Sequence, residues 1–156
     1  MHDFEVCTAK KEVIKILKSN ESSENYLETI LIIGRRKPVV RAVDIAEELK
    51  FKKSSVSVAM KNLREKDLIW VTQEGYIYLT DEGKRIAEMI YERHQFLSRW
   101  LIQLGVDPDV AMSDACRMEH VISPESFAAI KAHIILDESI EYVDPKISSD
   151  VYGSFE

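Results

Sequence analysis

Apolar residues recur at three- and four-residue spacing over most of this 156-residue chain, which predicts a mainly α-helical protein. A helix over residues 1–20 and a second helix over residues 23–33 account for the first part of the pattern. Ser19–Ser23 is expected to separate them, because this polar run interrupts the apolar spacing and supplies capping side chains. Gly34 is expected to end the second helix.

Residues 40–66 carry a helix-turn-helix pattern. A short apolar-spaced helix is followed by the turn Lys50–Lys53 and by a longer helix, which Ser54 or Ser55 is expected to cap. Two runs rich in β-branched and aromatic residues follow at 68–71 and 76–79 and predict a β-hairpin. A hairpin directly after such a helix is the wing of a winged helix. The alternative is a helical core motif that binds nothing.

The apolar positions on the longer helix decide which of its residues can reach a ligand. Val56, Met60 and Leu63 repeat at helical spacing and are expected to face the core, which turns the opposite face to solvent. Small hydroxyl and amine side chains beside a basic turn suit the major groove of DNA. The predicted phosphate contacts are Arg41, Lys52, Lys53 and Lys61, and the predicted base-edge contacts are Ser54, Ser55, Ser57 and Val58. Each basic residue could equally be a solvated surface charge.

Three more helices are predicted after the hairpin. The first begins at its cap Thr80, runs to about Leu104 and carries an apolar stripe wide enough for a partner. The second begins at Asp107–Pro108 and ends before Ser123–Pro124, and the last runs to Leu136. The predicted division is an N-terminal extension helix at 1–20, a winged-helix part at 21–80, a helical part at 81–137 and an acidic tail at 138–156.

Charge is unevenly distributed along the chain. The formal net charge of −6 argues against DNA binding by bulk attraction, yet residues 35–66 hold ten Lys and Arg against four Asp and Glu. Residues 107–156 hold three Lys and Arg against eleven Asp and Glu. The basic segment can therefore face phosphate even though the whole protein is acidic.

Cysteine usage and hydropathy indicate the compartment. Cys7 and Cys116 are far apart and form no disulfide framework, which favours a reducing environment. The N-terminus lacks the long apolar run of a signal peptide, and no stretch approaches the roughly 18 apolar residues of a membrane span. The sequence predicts a cytoplasmic protein with no membrane partner.

The run Cys116-Arg117-Met118-Glu119-His120 carries the candidate chemistry. Positions i, i+3 and i+4 share one face of a helix, so Cys116, Glu119 and His120 are expected to project together. A thiol, a carboxylate and an imidazole within one turn make half of a transition-metal site. The alternative is a buried small cysteine beside an exposed glutamate and a capped histidine.

Two other functions stay open on the residues alone. In an enzyme, Cys116 is the nucleophile and His120 its base, but no Gly-rich oxyanion loop accompanies the pair, so the protein is predicted not to be an enzyme. In a winged-helix regulator that responds to a small organic ligand, Cys116 and His120 only pack. DNA binding that is insensitive to a chelator favours this last class.

With these motifs in place, residues 22–137 resemble the diphtheria toxin repressor family of metal-dependent regulators. The blocks Ser22–Ile30, Asp44–Leu63 and Asp114–His120 carry the likeness, and the last is the most specific. The resemblance implies a winged helix-turn-helix DNA-binding domain followed by an α-helical dimerisation domain, as in the shorter, manganese-regulator branch. It also implies a homodimer that binds operator DNA and represses metal-uptake genes when metal is plentiful.

The ligand set that the resemblance implies is a hybrid of two branches. Cys116, with Glu119 and His120, matches the iron-sensing branch, and His94 matches a ligand in both. Glu28 matches the manganese branch, whereas Asn25 departs from both. Because a thiolate is soft, Fe(II) is favoured and Mn(II) comes next. The resulting hypothesis is one centre built from Cys116, Glu119, His120 and Asn25, and a neighbouring one that includes His94 and Glu28.

The placement of these ligands suggests a mechanism. Asn25 and Glu28 belong to the winged-helix part, and Cys116, Glu119 and His120 belong to the dimerisation helices. Metal held by both parts is expected to join them rigidly and to fix the two recognition helices of a dimer about 34 Å apart, near one DNA turn. Metal binding then stabilises the state that binds the operator.

Overall fold

The computed structural model describes residues 2–136, with side chains described for residues 18–134. This part of the chain forms six helices and two strands, which are α1 His2–Arg36, α2 Ala42–Leu49, α3 Lys53–Glu65, β1 Ile69–Val71, β2 Ile77–Leu79, α4 Asp81–Gln103, α5 Pro108–Val121 and α6 Pro124–Leu136. The chain divides after Ile90 into two compact units. None of the helices among residues 2–136 has the length and apolarity that crossing a bilayer requires. The predicted acidic tail at 138–156 lies outside the described residues.

The first helix is longer than the sequence pattern predicts. Helix α1 runs without interruption from His2 to Arg36, so the break expected at Ser19–Ser23 and the stop expected at Gly34 are both wrong. Within the polar run, the Ser23 hydroxyl donates a hydrogen bond to the Ser19 carbonyl at 3.0 Å. A serine that bonds back to the preceding turn is satisfied inside a helix, so the run continues the helix instead of capping a new one.

The helix-turn-helix begins with a capping interaction at Asp44. Its carboxylate accepts a hydrogen bond from the Arg41 backbone N–H at 2.8 Å and one from the Lys37 ammonium at 2.7 Å. These partners hold the pKa of Asp44 below its usual range, with the Lys37 hydrogen bond as the largest cause. Helix α2 ends at Leu49, and its C-cap Lys50 has a φ of 55° that reverses the chain toward α3.

The N-cap of α3 lies two or three residues before the position expected from the sequence. Lys52 occupies the N-cap position and makes no side-chain capping bond, so neither Ser54 nor Ser55 is the cap. Val56, Met60 and Leu63 are buried, as the spacing predicted. Helix α3 contacts α1, α2 and β1. The buried apolar residues of α1, α2 and the hairpin include Leu27, Ile30, Ile45, Ile69 and Ile77.

The predicted hairpin is present as two short antiparallel strands. Trp70 pairs with Tyr78, and their rings stack at 4.4 Å on the exposed face, while Ile69 and Ile77 turn inward. The alternation follows from the period of two along a strand. Thr80 then caps α4, as predicted, because its hydroxyl accepts a hydrogen bond from the Gly83 N–H at 3.1 Å.

The second unit has a small apolar core of its own. Its buried members come from α4, α5 and α6 and are Phe96, Leu97, Ala115, Phe127 and Ile134. The Phe96 and Phe127 rings meet edge to face at 5.4 Å. Helix α5 begins as predicted, because the Asp107 carboxylate accepts from the Asp109 N–H at 3.0 Å and Pro108 takes the first helical position.

Candidate metal centre

Two helices of the second unit supply the candidate ligands. Helix α4 carries His94, and α5 carries Cys116, Glu119 and His120. The spacing on α5 places its three residues on one face of about one turn. The four side chains therefore come from two segments whose packing the Phe96–Phe127 core stabilises.

The ligand atoms of His94, Cys116 and Glu119 lie close enough to bind one ion. His94 Nδ1 is 2.8 Å from Glu119 Oε2 and 3.6 Å from Cys116 Sγ. One ligand atom from each residue lies within 4.8 Å of the other two. An imidazole nitrogen, a thiolate and a carboxylate oxygen form a mixed donor set that first-row transition metals accept. The residues present therefore fit a divalent metal ion.

The structure brings His94 together with two residues of the other expected centre, because its imidazole lies directly beside Cys116 and Glu119. The expected grouping of His94 with Glu28 stays a prediction. The Cys116 sulfur approaches the His94 ring. His120 contacts the other carboxylate oxygen, with Nε2 at 3.2 Å from Glu119 Oε1.

Burial and charge within this cluster are asymmetric. Glu119 is only 1% exposed, whereas Cys116 is an exposed free thiol, so the sequence alternative of a buried cysteine beside an exposed glutamate is wrong. A buried carboxylate needs partners, and the two imidazoles supply them. An exposed sulfur beside buried N and O donors leaves one side of the cluster open to solvent.

The protonation of the cluster follows from these contacts. Burial disfavours the charged form of His94, but hydrogen bonds and charge from Cys116 and Glu119 outweigh burial and raise the pKa of His94 to about 10. Burial likewise opposes ionisation of Glu119, and the hydrogen bonds from His120 and His94 still hold its pKa below the usual range. In this state a proton occupies the site that a metal ion needs, so the two compete.

The remaining two predicted ligands lie in the first unit, on α1. Glu28 is buried, and Asn25 is half-buried. The Asn25 backbone carbonyl accepts a hydrogen bond from the Thr29 hydroxyl at 2.8 Å. The assignment of both side chains as metal ligands stays a prediction.

Sequence reasoning gave no separate role to Arg93, the residue before His94. Its side chain is buried, and Nη1 donates to the backbone carbonyls of Glu119 and Ile122 at 3.1 Å each. A charged residue on the core side of an amphipathic helix was the available signal, because such a residue is seldom fully buried without partners.

The residues predicted to contact DNA lie on the surface of the first unit. Ser54, Ser55, Ser57 and Lys61 are exposed on α3, and Val58 is 61% exposed although it is apolar. Lys52 and Lys53 are exposed at the start of α3. The Ser57 hydroxyl donates to the Lys53 carbonyl at 3.0 Å, which leaves its oxygen able to accept.

Arg41 differs from the other predicted phosphate contacts because it already has an aromatic partner. Its guanidinium lies 4.9 Å from the centre of the Tyr76 ring, and Nη2 donates to the Tyr76 hydroxyl at 3.3 Å. Such a contact holds the side chain against the hairpin while its other N–H groups can still donate.

Comparison with known proteins identifies both parts of the chain. Residues 18–76 match the family model described as the iron dependent repressor N-terminal DNA binding domain. Residues 80–143 match the iron dependent repressor metal binding and dimerisation domain. The transcriptional regulator MntR of Escherichia coli is 34% identical over 111 residues, which are 71% of this chain and 72% of that protein.

The chain belongs to the diphtheria toxin repressor family. It is a metal-dependent DNA-binding transcriptional regulator of metal homeostasis, as the resemblance predicted, and nothing in these comparisons supports a small organic effector. The MntR of Salmonella typhimurium is 33% identical over 72% of this chain and 71% of its own length.

Solved structures support the same fold. A manganese-dependent transcriptional repressor in complex with manganese has 28% identity and a TM-score of 0.65, covering 71% of this chain and 51% of that one. The manganese regulator SloR has 24% identity and a TM-score of 0.66, covering 72% and 53%. The chain thus spans about half the length of these solved proteins. The predicted mainly helical architecture, a DNA-binding part followed by a helical dimerisation part, is confirmed.

Proposed function

We propose that this protein is a repressor whose affinity for operator DNA rises when Fe(II) or Mn(II) binds the cluster of His94, Cys116 and Glu119. The observation that carries the proposal is the convergence of a thiol, an imidazole and a buried carboxylate within 4.8 Å. The same chain presents an exposed face of α3 next to a basic turn. An ion-binding cluster and a DNA-reading surface in one chain are the two components that such a regulator needs.

The proposed ligands include more than this cluster. His120 is the fourth ligand because its ring already contacts the Glu119 carboxylate. Asn25 and Glu28 are proposed as further ligands on the strength of the family resemblance. When bound, the ion supplies a positive charge in place of the proton that His94 otherwise carries. Binding of the ion raises operator affinity only if the ion binds the conformation that recognises DNA more tightly than the conformation that does not.

The preferred metal is proposed to be Fe(II), with Mn(II) next. The thiolate of Cys116 supports this order, because sulfur is a soft ligand and Mn(II) is a hard ion. The competing expectation is a preference for Mn(II), because the solved relatives named above are described as manganese proteins. The imidazole of His94 and the carboxylate of Glu119 suit either ion, so the choice between them depends on Cys116.

Metal removal and reloading test the proposed function. Stripped protein is titrated under anaerobic conditions with Fe(II) or Mn(II), in the presence of a DNA duplex enriched from random sequence by the loaded protein. Operator affinity is expected to rise by about 5- to 150-fold on loading, the range of a typical allosteric coupling. Equal affinity with metal and with chelator contradicts the function, and a larger response to Mn(II) overturns the preference for Fe(II).

The matched variant for the metal preference is Cys116→Asp, which replaces the sulfur donor by a hard oxygen donor on the same helix face. Its ratio of Fe(II) to Mn(II) affinity is expected to fall relative to the wild-type ratio. An unchanged ratio contradicts the assignment of Cys116 as the ligand that selects the metal. The exposed position of Cys116 means that this change is tolerated by the fold.

On DNA, we propose that the exposed basic side chains at the start of α3 bind phosphate and that its small side chains read bases. Lys53→Ala is expected to weaken binding to all DNA sequences. It is also expected to reduce the slope of log affinity against log salt concentration by about one unit. Ser57→Ala is expected to change sequence preference, by about 1–3 kcal/mol at one base pair.

The control for both variants is Lys84→Ala on α4, because Lys84 is exposed and lies 3.9 Å from Glu88. Binding curves at several salt concentrations measure the slope, and a panel of single-base operator variants measures the preference. A Lys53→Ala slope equal to that of Lys84→Ala removes Lys53 from the phosphate contacts. Identical base preferences in Ser57→Ala and the wild type remove Ser57 from the base contacts.

The family assignment also supports proposals about the partners and the cellular compartment of the protein. Its second matched family model is a dimerisation domain, so we propose that the chain acts as a homodimer on double-stranded operator DNA. The reducing conditions that keep the Cys116 thiol available favour the cytoplasm. The family is one of transcriptional regulators, and we propose a regulatory role for Cys116 instead of a catalytic one.

A further inference from the structure

Arg93 is a buried cation that contacts the helix carrying three of the proposed ligands. It lies on α4 directly before His94 and is 6% exposed. Nη1 donates to the Glu119 carbonyl and to the Ile122 carbonyl, each at 3.1 Å. One donor atom thus bridges two carbonyls at the end of α5.

One of these carbonyls is in the last turn of α5, at Glu119, and the other is at the C-cap residue Ile122. The helix ends at Val121, and the last carbonyls of a helix lack intrahelical donors. A positive charge at that end also interacts favourably with the helix dipole. Because Glu119 is one of the two acceptors, Arg93 fixes the backbone of the residue whose carboxylate contacts both His94 and His120.

A third helix, α6, also contacts the guanidinium. Arg93 lies 5.6 Å from the centre of the Phe127 ring on α6, and Phe127 packs against Phe96. This cation–aromatic contact limits the directions in which the guanidinium can move. Arg93 therefore links α4, α5 and α6 at the metal cluster.

The arrangement is costly for stability, which argues against a purely structural role. Arg93 Nε is buried without a hydrogen-bond partner among the residues that the structure describes. A buried donor without a partner costs about 1–3 kcal/mol, and an apolar residue of similar volume avoids that cost. The arginine is better explained by a geometric requirement that an apolar side chain does not meet.

We propose that Arg93 is a positioning residue of the metal centre, which sets the placement of Glu119, and with it the Cys116–His120 turn, against His94. This inference rests on the proposed function. A metal site tolerates displacements of only about 0.5 Å in its ligands. Neighbours that orient ligands typically contribute 10- to 100-fold to metal affinity.

Co(II) is the probe for the test because its absorption reports both thiolate ligation and coordination geometry. Its affinity and spectrum are measured in the wild type, Arg93→Met and Arg93→Lys, together with helicity and thermal unfolding of the metal-free proteins. The controls are Arg85→Met and Arg85→Lys, since Arg85 lies on the same helix, exposed and paired with Glu82 at 2.7 Å.

Arg93→Met is expected to lose about 10- to 100-fold in Co(II) affinity and to show altered visible bands. Arg93→Lys keeps the positive charge but lacks the planar guanidinium. It is expected to show a smaller loss of Co(II) affinity. Both Arg85 variants are expected to match the wild type. If Arg93→Met does not fold, Arg93→Lys decides the question.

If either folded Arg93 variant loses thermal stability but keeps the wild-type Co(II) affinity and spectrum, Arg93 has a structural role only. That result overturns the inference. This outcome leaves the proposed function intact when the wild-type protein shows the thiolate-to-cobalt band. A wild-type protein without that band overturns the ligand set and the role of Arg93 together.

Discussion

Glu119→Gln is expected to lower the affinity of the protein for its activating metal by at least about a hundredfold. Residues that only orient the ligands already contribute 10- to 100-fold to metal affinity, and Glu119 is proposed to bind the ion directly. Glutamine keeps the shape of the side chain but removes the charge, so both the ion and the two neighbouring imidazoles lose their anionic partner. The carboxylate is 1% exposed, so water cannot replace it without rearrangement.

A competition titration against a chelating dye measures this effect. Asp114→Asn is the matched control, because Asp114 lies on the same helix and its carboxylate pairs with exposed Arg117 at 2.6 Å. The control is expected to bind metal as the wild type does. Operator binding measured on the same samples is expected to fall in parallel for Glu119→Gln. A metal affinity within threefold of the wild type, for a folded Glu119→Gln protein, contradicts the assignment of Glu119 as a ligand.

Gly83→Ala is expected to destabilise the first unit by about 2 kcal/mol. A Cβ atom at Gly83 falls 1.9 Å from the Leu68 carbonyl oxygen, which is backbone and cannot rotate away. Overpacking costs typically about 1–3 kcal/mol, and a clash with rigid backbone lies at the upper end of that range, while the higher helix propensity of alanine returns about 1 kcal/mol. The close approach lets α4 start directly after the hairpin, which explains a glycine in the first turn of a helix.

Gly34→Ala provides the control, because Gly34 is also helical and a Cβ atom there meets only Val40 Cγ2, at 3.8 Å. That distance is ordinary van der Waals contact, so the variant is expected to gain up to about 1 kcal/mol. Chemical unfolding of the two metal-free variants is expected to differ by about 3 kcal/mol. Equal stabilities contradict the close approach of α4 to Leu68.

The sequence alone determined most of the element boundaries in the second half of the chain. Thr80, Asp107 and Pro124 mark the starts of α4, α5 and α6, because capping side chains and proline act through the few residues next to them. The buried face of α3 was likewise predictable, since helical spacing fixes which residues share a face. Local chemistry is sufficient for such features.

Sequence patterns predicted wrong helix boundaries where two local conformations have similar free energies. The run Ser19–Ser23 can cap a helix or continue one, and in the structure it continues α1. At the start of α3 the sequence predicted a serine cap at Ser54 or Ser55, and in the structure Lys52 takes the N-cap position instead. Intrinsic preferences are weak, so small differences in packing decide these positions.

For the candidate metal centre, the sequence determined that Cys116, Glu119 and His120 share one helix face, because that follows from 3.6 residues per turn. Only the tertiary structure decided that His94, 22 residues earlier, is the partner of Cys116. It also decided that Glu119 is the buried member and that Arg93 holds its carbonyl. Contacts between helices depend on how their side chains pack, and no spacing within a single segment specifies that packing.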